Sequence, residues 1–158
     1  MYRIGYAEDI HRLIAGRRLM IGGIHIEAPF GEDAHSDGDI LLHAISEALL
    51  GSLALGDLGR HFPDNSKDTE GMDSKIILRE TIKMVRNLGY DVVNIDTSIV
   101  LERPKIASYI EDIRQSVANV LEIDINQVSV KANTNEKIGA IGSGEACKAI
   151  AIVLVKKK

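Results

Sequence analysis

The spacing of apolar residues changes period several times along the chain, and each change marks a predicted element. From Tyr2 to Leu13 apolar and polar residues begin by alternating, as a half-buried strand requires. Arg18 to Ile26 holds two short β-rich runs parted by Gly22-Gly23, which reads as a hairpin. Gly31 to Asp39 is polar. The run from Ile40 to Leu50 then repeats apolar residues at helical spacing, with Ser36, Asp37 and Asp39 available as caps, so a helix is expected to start near Gly38. Gly56 to Thr69 has no period, is rich in Gly, Asp, Pro, Asn and Ser, and exceeds the usual length of a connection, which points to a functional loop. Ser74 to Leu88 predicts a second helix ended by Gly89, Asp91 to Leu101 a strand, Ser108 to Leu121 a third helix, and Gln127 to Thr134 a further strand. Ala149 to Val155 predicts the last one.

Strands alternating with helices, without repeats or low-complexity segments, imply an α+β chain. The expectation is a single-domain α/β sandwich over residues 1–158, a mixed β-sheet with its helices packed on one face. The last strand is apolar on both sides, Ile150, Ile152 and Leu154 against Ala149, Ala151, Val153 and Val155, so the other sheet face needs cover and self-association is expected.

Composition narrows the function. The chain has 158 residues, and 45% of them are apolar, enough for a real core. Nineteen basic against twenty-three acidic residues give a net charge of -4, so no overall field favours nucleic acid, and any phosphate must be held locally. Cys147 is the only cysteine, which excludes an internal disulfide or a thiolate zinc cluster and suggests a reducing compartment. No apolar run approaches the roughly 18 residues of a membrane span, and the first residues lack a signal peptide's apolar stretch. A cytoplasmic protein with no membrane partner is expected.

Candidate chemistry concentrates in three places. Asp9 and His11 lie two apart in a strand-like segment and therefore on one face. With His43, early in the first helix, they form a carboxylate-plus-two-imidazole set that suits zinc and leaves a fourth position open. Equally open on spacing alone is a capping Asp9, a surface His11 and a hydrogen-bonded core His43. Asp39, four residues before His43, is placed to orient its imidazole, or else acts only as a helix N-terminal carboxylate. His35-Ser36-Asp37-Gly38-Asp39 brings an imidazole, a hydroxyl and backbone amides to a helix start, a setting for phosphate that its two carboxylates would oppose unless a cation sat nearby. At the end of a strand, Thr134 and Glu136 offer a hydroxyl and a carboxylate suited to phosphate and Mg²⁺. Gly139-Ala140-Ile141-Gly142-Ser143-Gly144 lacks the ending of a phosphate loop and reads as flexible turn.

Taken together, these segments resemble the 2-C-methyl-D-erythritol 2,4-cyclodiphosphate synthase family over nearly the whole chain. The resemblance runs through Asp9-Ile10-His11, Ala34-His35-Ser36-Asp37-Gly38-Asp39, His43-Ala44, Leu50-Gly51, Leu55-Gly56-Asp57-Leu58-Gly59, Phe62-Pro63-Asp64, Asp73-Ser74, Pro104-Lys105 and Glu136-Lys137-Ile138-Gly139. It implies a homotrimer whose sheet faces meet and whose active sites lie between subunits. It also implies that the 2-phosphate of a cytidine diphosphate-linked methylerythritol closes onto the β-phosphorus and releases CMP. By the same resemblance Asp9, His11 and His43 would hold one Zn²⁺ per subunit, and Glu136 would hold Mg²⁺ or Mn²⁺. His35 and Thr134 would be catalytic, and Ser36 with the helix start would bind the attacking phosphate. Asp57, Leu58, Gly59, Phe62 and Asp64 would enclose the methylerythritol. Leu101, Pro104, Lys105, Ile106 and Ala107, with Ala132 and Asn133, would form the cytidine pocket of the adjacent subunit. Ala7 and Glu8 depart from the Gly and aromatic residue common there, and Asn133 and Asn135 replace threonines. Ala140 and Ser143 replace an aromatic and an Arg that line a trimer cavity for isoprenoid diphosphates in some members, so no such binding is expected here. The alternatives are a zinc-dependent phosphohydrolase of a nucleotide-linked substrate, told apart by a linear product, and a non-catalytic zinc-binding oligomer.

Overall fold

The computed structural model describes residues 1–65 and 67–158. Strand β1 (Tyr2–Ala15) is followed by β2 (Leu19–Ile21), β3 (Ile24–Ile26) and β4 (Phe30–Glu32), then by α1 (Ile40–Ser52) and a one-turn α2 (Leu58–His61). The rest alternates: α3 (Ser74–Asn87), β5 (Tyr90–Val100), α4 (Ile110–Leu121), β6 (Val128–Asn133), a one-turn α5 (Gly139–Gly142) and β7 (Ala146–Lys157). Five strands form one mixed sheet in the order β4-β1-β7-β5-β6, with only the β5–β6 pair parallel, and β2–β3 is a separate hairpin. Two sequence readings need correction. Gly31 and Glu32, at the start of the stretch read as polar, belong with Phe30 to an edge strand paired with β1, and 139–142 is a helical turn instead of a flexible one. Both elements are too short to show a period.

The period of two along β1 divides the molecule. Gly5 and Ala7 are buried on the helix side, whereas Tyr2, Ile4, Tyr6 and Ile10 are exposed on the other. Along β7, Ala149, Ala151, Val153 and Val155 are buried under the helices, and Ile152 is exposed. In register Tyr6 faces Ile152 and Ile4 faces Leu154, so the open side of β1 and β7 is a contiguous apolar patch, with Tyr6 60% and Ile4 69% exposed. The β5–β6 side of the same face is polar instead, with Lys131 bound to Asp96 and Asn133 to Ser98.

Helix α1 is apolar all round because it is the central element of the core: Ile40, Leu41, Leu42, Ala44, Ile45, Ala48, Leu49 and Leu50 are fully buried. Each Leu or Ile so buried contributes roughly 1.5–3 kcal/mol relative to exposure. The helix lies so close to β1 that a Cβ on Gly5 would come within 1.8 Å of the Ala48 carbonyl oxygen. No rotamer change relieves a clash with backbone, so Gly5→Ala must part helix and strand. We expect a loss of about 1–3 kcal/mol, read by chemical denaturation. Because β1 and α1 carry the metal-binding candidates, metal affinity should fall in parallel; unchanged stability would refute this packing account.

Glu32 is a carboxyl with no surface exposure, whose Oε2 accepts the Met20 amide (3.3 Å) while Oε1 has no hydrogen-bond partner among the described residues. Burial, reinforced by the nearby Asp39 charge, pushes it up to about 9 from 4.5. The folded protein therefore holds a proton here that the unfolded chain releases near pH 4.5, and stability should fall as pH rises from there towards about 9. Glu32→Gln is expected to flatten that part of the stability–pH curve; an unaltered slope would show Glu32 ionised in the fold.

Candidate active site

On β1, Asp9 and His11 follow Gly5 and Ala7 onto the helix side, where they meet His43 in the first turn of α1. Asp9 Oδ2 lies 3.0 Å from His11 Nε2 and 3.5 Å from His43 Nδ1. The three ligand atoms fall within 4.8 Å of one another. Donor atoms around a tetrahedral ion with bonds of about 2.0–2.2 Å sit roughly 3.3 Å apart, so the observed spacings fit a small divalent ion. Burial alone would raise the Asp9 carboxyl, but the two imidazoles override it and hold Asp9 well below the usual carboxylate range. Burial likewise disfavours charge on His11, yet Asp9 raises it. A divalent ion held by these three groups would compete with the proton that Asp9 favours on His11.

Each imidazole is turned to the site by a partner on its far nitrogen. His11 Nδ1 donates to the Gly38 carbonyl (2.9 Å), which leaves the Nε2 lone pair for a ligand. His43 Nε2 meets Ser74 Oγ at 2.9 Å and Ser36 Oγ at 3.2 Å. Ser74 Oγ in turn donates to Asp37, so it accepts from His43 Nε2–H and leaves Nδ1 free. Ser74, at the start of α3, and Asp37 therefore perform the orienting role that the sequence reading gave to Asp39. That assignment is corrected: the Asp39 carboxylate is fully buried and accepts the amides of Gly22 (2.9 Å), Gly23 (2.6 Å) and Leu42 (3.1 Å). Burial raises it to about 6 even so. Asp39 caps α1 and ties the β2–β3 turn to it.

These bonds also remove the conflict between phosphate and the two acids of the 35–39 segment without any cation, since both carboxylates are turned into the protein. They revise the expectation for the helix start as well, because Ile40, Leu41 and Leu42 are fully buried and the Leu42 amide is taken. His35 and Ser36 line the cavity beside the triad. Arg17 supports them from behind, its guanidinium donating to the carbonyls of Ala34 (3.0 Å) and Ser36 (3.4 Å).

The triad opens onto a cavity of about 430 Å³. Its lining adds His35, Ser36, Leu58, Gly59, Phe62 and Asp64, all singled out in the sequence, and Glu8, Asp33, Glu47 and Thr69, which were not assigned to it. Glu47 accepts the Leu58 amide (2.9 Å) and so holds the loop over the cavity. Asp57 does not line it; its carboxylate caps α2 by accepting the Arg60 amide (3.0 Å). Ser66, within the same loop, lies outside the described residues.

A second group assembles elsewhere. β5 and β6 run parallel, so Leu101 to Ala107 leaves one strand end beside Ala132, Asn133 and Thr134 at the other, joined by the Leu101 amide to the Asn133 carbonyl (2.9 Å). Thr134 Oγ1 and Glu136 Oε1 are 3.5 Å apart, and Ala132, Asn133, Thr134 and Glu136 are all exposed. None of these residues lines the cavity at the triad. Within one chain the two groups of candidates remain separate.

A mixed sheet covered by helices on one face, with three side chains that could hold a metal ion at the mouth of a cavity, is the framework of an enzyme domain. The chain belongs to the YgbB family, whose model matches residues 2–156. It is 50% identical over 99% of both chains to the 2-C-methyl-D-erythritol 2,4-cyclodiphosphate synthase of Prosthecochloris aestuarii, and 43% identical over 98% of both to that of Natranaerobius thermophilus. Among solved structures, a 2C-methyl-D-erythritol-2,4-cyclodiphosphate synthase matches at 36% identity and a TM-score of 0.90, covering 98% of this chain and 100% of that one. The IspF–CDP complex of Plasmodium falciparum matches at 35% and 0.88, covering 99% and 97%. The bifunctional IspDF of Campylobacter jejuni matches at 32% and 0.96, and this chain spans 43% of that longer one.

The orienting chain yields a graded test, with Zn²⁺ as the probe ion in a chelator-competition titration. His43→Ala should abolish binding, and Ser74→Ala should weaken it by about 10-fold. Full affinity in Ser74→Ala would show that Ser74 does not orient the imidazole.

Proposed function

We propose that the chain converts 4-diphosphocytidyl-2-C-methyl-D-erythritol 2-phosphate into 2-C-methyl-D-erythritol 2,4-cyclodiphosphate and CMP, a phosphorus–oxygen lyase step in non-mevalonate isoprenoid synthesis. The observation that carries this reading is the Asp9–His11–His43 triad opening on a cavity with charged side chains in its lining, in a chain whose relatives of that name match it over 99% of its length. In the reaction an oxygen of the 2-phosphate bonds to the β-phosphorus while the bond from that phosphorus to the oxygen bridging to CMP breaks. The electron pair leaves with CMP, and no water is consumed. The nucleophile is already ionised, so the protein needs no strong base; its work is to position the two phosphates and neutralise their mutual repulsion.

Zn²⁺ at the triad, and Mg²⁺ or Mn²⁺ at Glu136, would supply Lewis-acid polarisation and charge neutralisation. The chain's own groups do the rest. Ser36 and His35 hold the attacking phosphate on the side of the 35–39 segment from which both carboxylates have been withdrawn. Leu58, Gly59, Phe62 and Asp64 close over the methylerythritol and exclude water, which keeps the product a ring. Thr134 donates to a phosphoryl oxygen, and the strand ends at 101–107 and 132–133 receive the cytidine.

The site is shared between subunits of a homotrimer. Two observations support this: the triad cavity lacks Thr134, Glu136 and the nucleoside segments, and the open face of β1 and β7 carries an apolar patch for a neighbour to cover. Subunit mixing tests it. His43→Ala and Glu136→Gln proteins should each be inactive, yet trimers re-formed from equal amounts of both should regain up to about a quarter of wild-type CMP release, since random assembly leaves that share of shared sites intact. A mixture as inactive as its parents would place every site within one chain.

A further inference from the structure

Glu102 lies in the 101–107 segment after β5, and both of its carboxylate oxygens are engaged by backbone and not turned to a ligand. Oε2 accepts the Asn135 amide (2.9 Å) and Oε1 accepts the Lys137 amide (3.1 Å). These two amides flank Glu136. The backbone between them is unusual, because Glu136 (φ 51°) and Lys137 (φ 60°) are successive left-handed residues that both carry side chains. Such a pair persists only where its surroundings impose it. Within the turn the Ile138 amide donates to the Asn135 carbonyl (2.9 Å), Asn135 Nδ2 to the Ile138 carbonyl (2.8 Å) and the Glu136 amide to Thr134 Oγ1 (3.4 Å). Gly142 also presses on the turn, where a Cβ would lie 2.2 Å from the Lys137 carbonyl carbon.

A carboxylate is the side chain that accepts two amides at once without offering a donor to either. By taking both neighbours of Glu136, Glu102 fixes the backbone on each side of it, and with it the direction in which the Glu136 side chain leaves the chain. We infer that Glu102 is a positioning residue: its carboxylate holds the 135–137 turn so that Glu136 is preorganised for its divalent ion. Glu102 directly follows Leu101, whose amide is bonded to Asn133, and precedes Pro104 by two residues. It therefore also locks the nucleoside-binding segment to the loop that carries Glu136, so that base and phosphates are presented as one unit. The inference rests on the proposed Mg²⁺ role of Glu136.

The test reads Mg²⁺ linkage without turnover: calorimetric CDP affinity of the intact protein across a Mg²⁺ titration, for Glu102→Ala, Glu102→Gln, Glu136→Gln and the double variant Glu102→Gln/Glu136→Gln. Glu102→Gln keeps one acceptor and turns a donor towards the other amide, so it serves if the alanine variant does not fold. Either Glu102 variant should raise the Mg²⁺ concentration for half-maximal enhancement by about 10-fold or more. Hydrogen exchange of the 134–138 segment should quicken. In the double variant the Glu102 change should add nothing further, because residues that act through one another are not additive. Normal Mg²⁺ linkage in the Glu102 variants, while Glu136→Gln loses it, would overturn the inference alone. Normal linkage in Glu136→Gln would overturn the reading of Glu136 on which it stands.

Discussion

Helix α1 can lie against β1 only because residue 5 has no side chain and residue 7 has a small one. That close approach places the first turn of the helix, with His43, over the strand positions that carry Asp9 and His11. All three are set by backbone position, one by helix phase and two by the pleat of a strand, so the donor geometry is a property of the core and not of a mobile loop. Parting α1 from β1 would separate the donors without touching any of them.

The same economy governs charge. The cavity proposed to take phosphates lies in a chain of net negative charge, and the 35–39 segment beside it carries two acids, Asp37 and Asp39. The fold turns both away, Asp39 onto three backbone amides and Asp37 onto Ser74, where each gains structural work: one caps α1 and fastens the β2–β3 turn, the other orients His43 through Ser74. Glu102 treats the 135–137 amides in the same way. Carboxylates that accept backbone N–H groups here act as rigid brackets around the groups that would touch substrate.

Much of this was legible in the sequence because periodicity is local. The period of two that makes β1 a strand also puts Asp9 and His11 on one face, and the apolar repeat from Ile40 locates His43 early in a helix. Edges were less legible: the last strand begins at Ala146, three residues before the predicted start, and β1 runs on to Ala15, past Leu13, because sheet partners extend strands beyond their own pattern. What could not be read were long-range bonds. Ser74 lies 31 residues from His43, and Glu102 lies 33 from Asn135, and no spacing rule connects them. Asp39 failed for the opposite reason. Its i, i+4 placement makes it a neighbour of His43, but three amides compete for the same oxygens and win.

The fate of the β-phosphorus separates cyclisation from hydrolysis, and a ³¹P NMR time course with the cytidine-linked substrate, Zn²⁺ and excess Mg²⁺ follows that atom directly. Two coupled resonances of a cyclic diphosphate should grow in step with CMP, and chelation should stop both. Linear phosphate products would contradict the account, since they would mean that the triad delivers water to the phosphorus in place of the substrate's own phosphate.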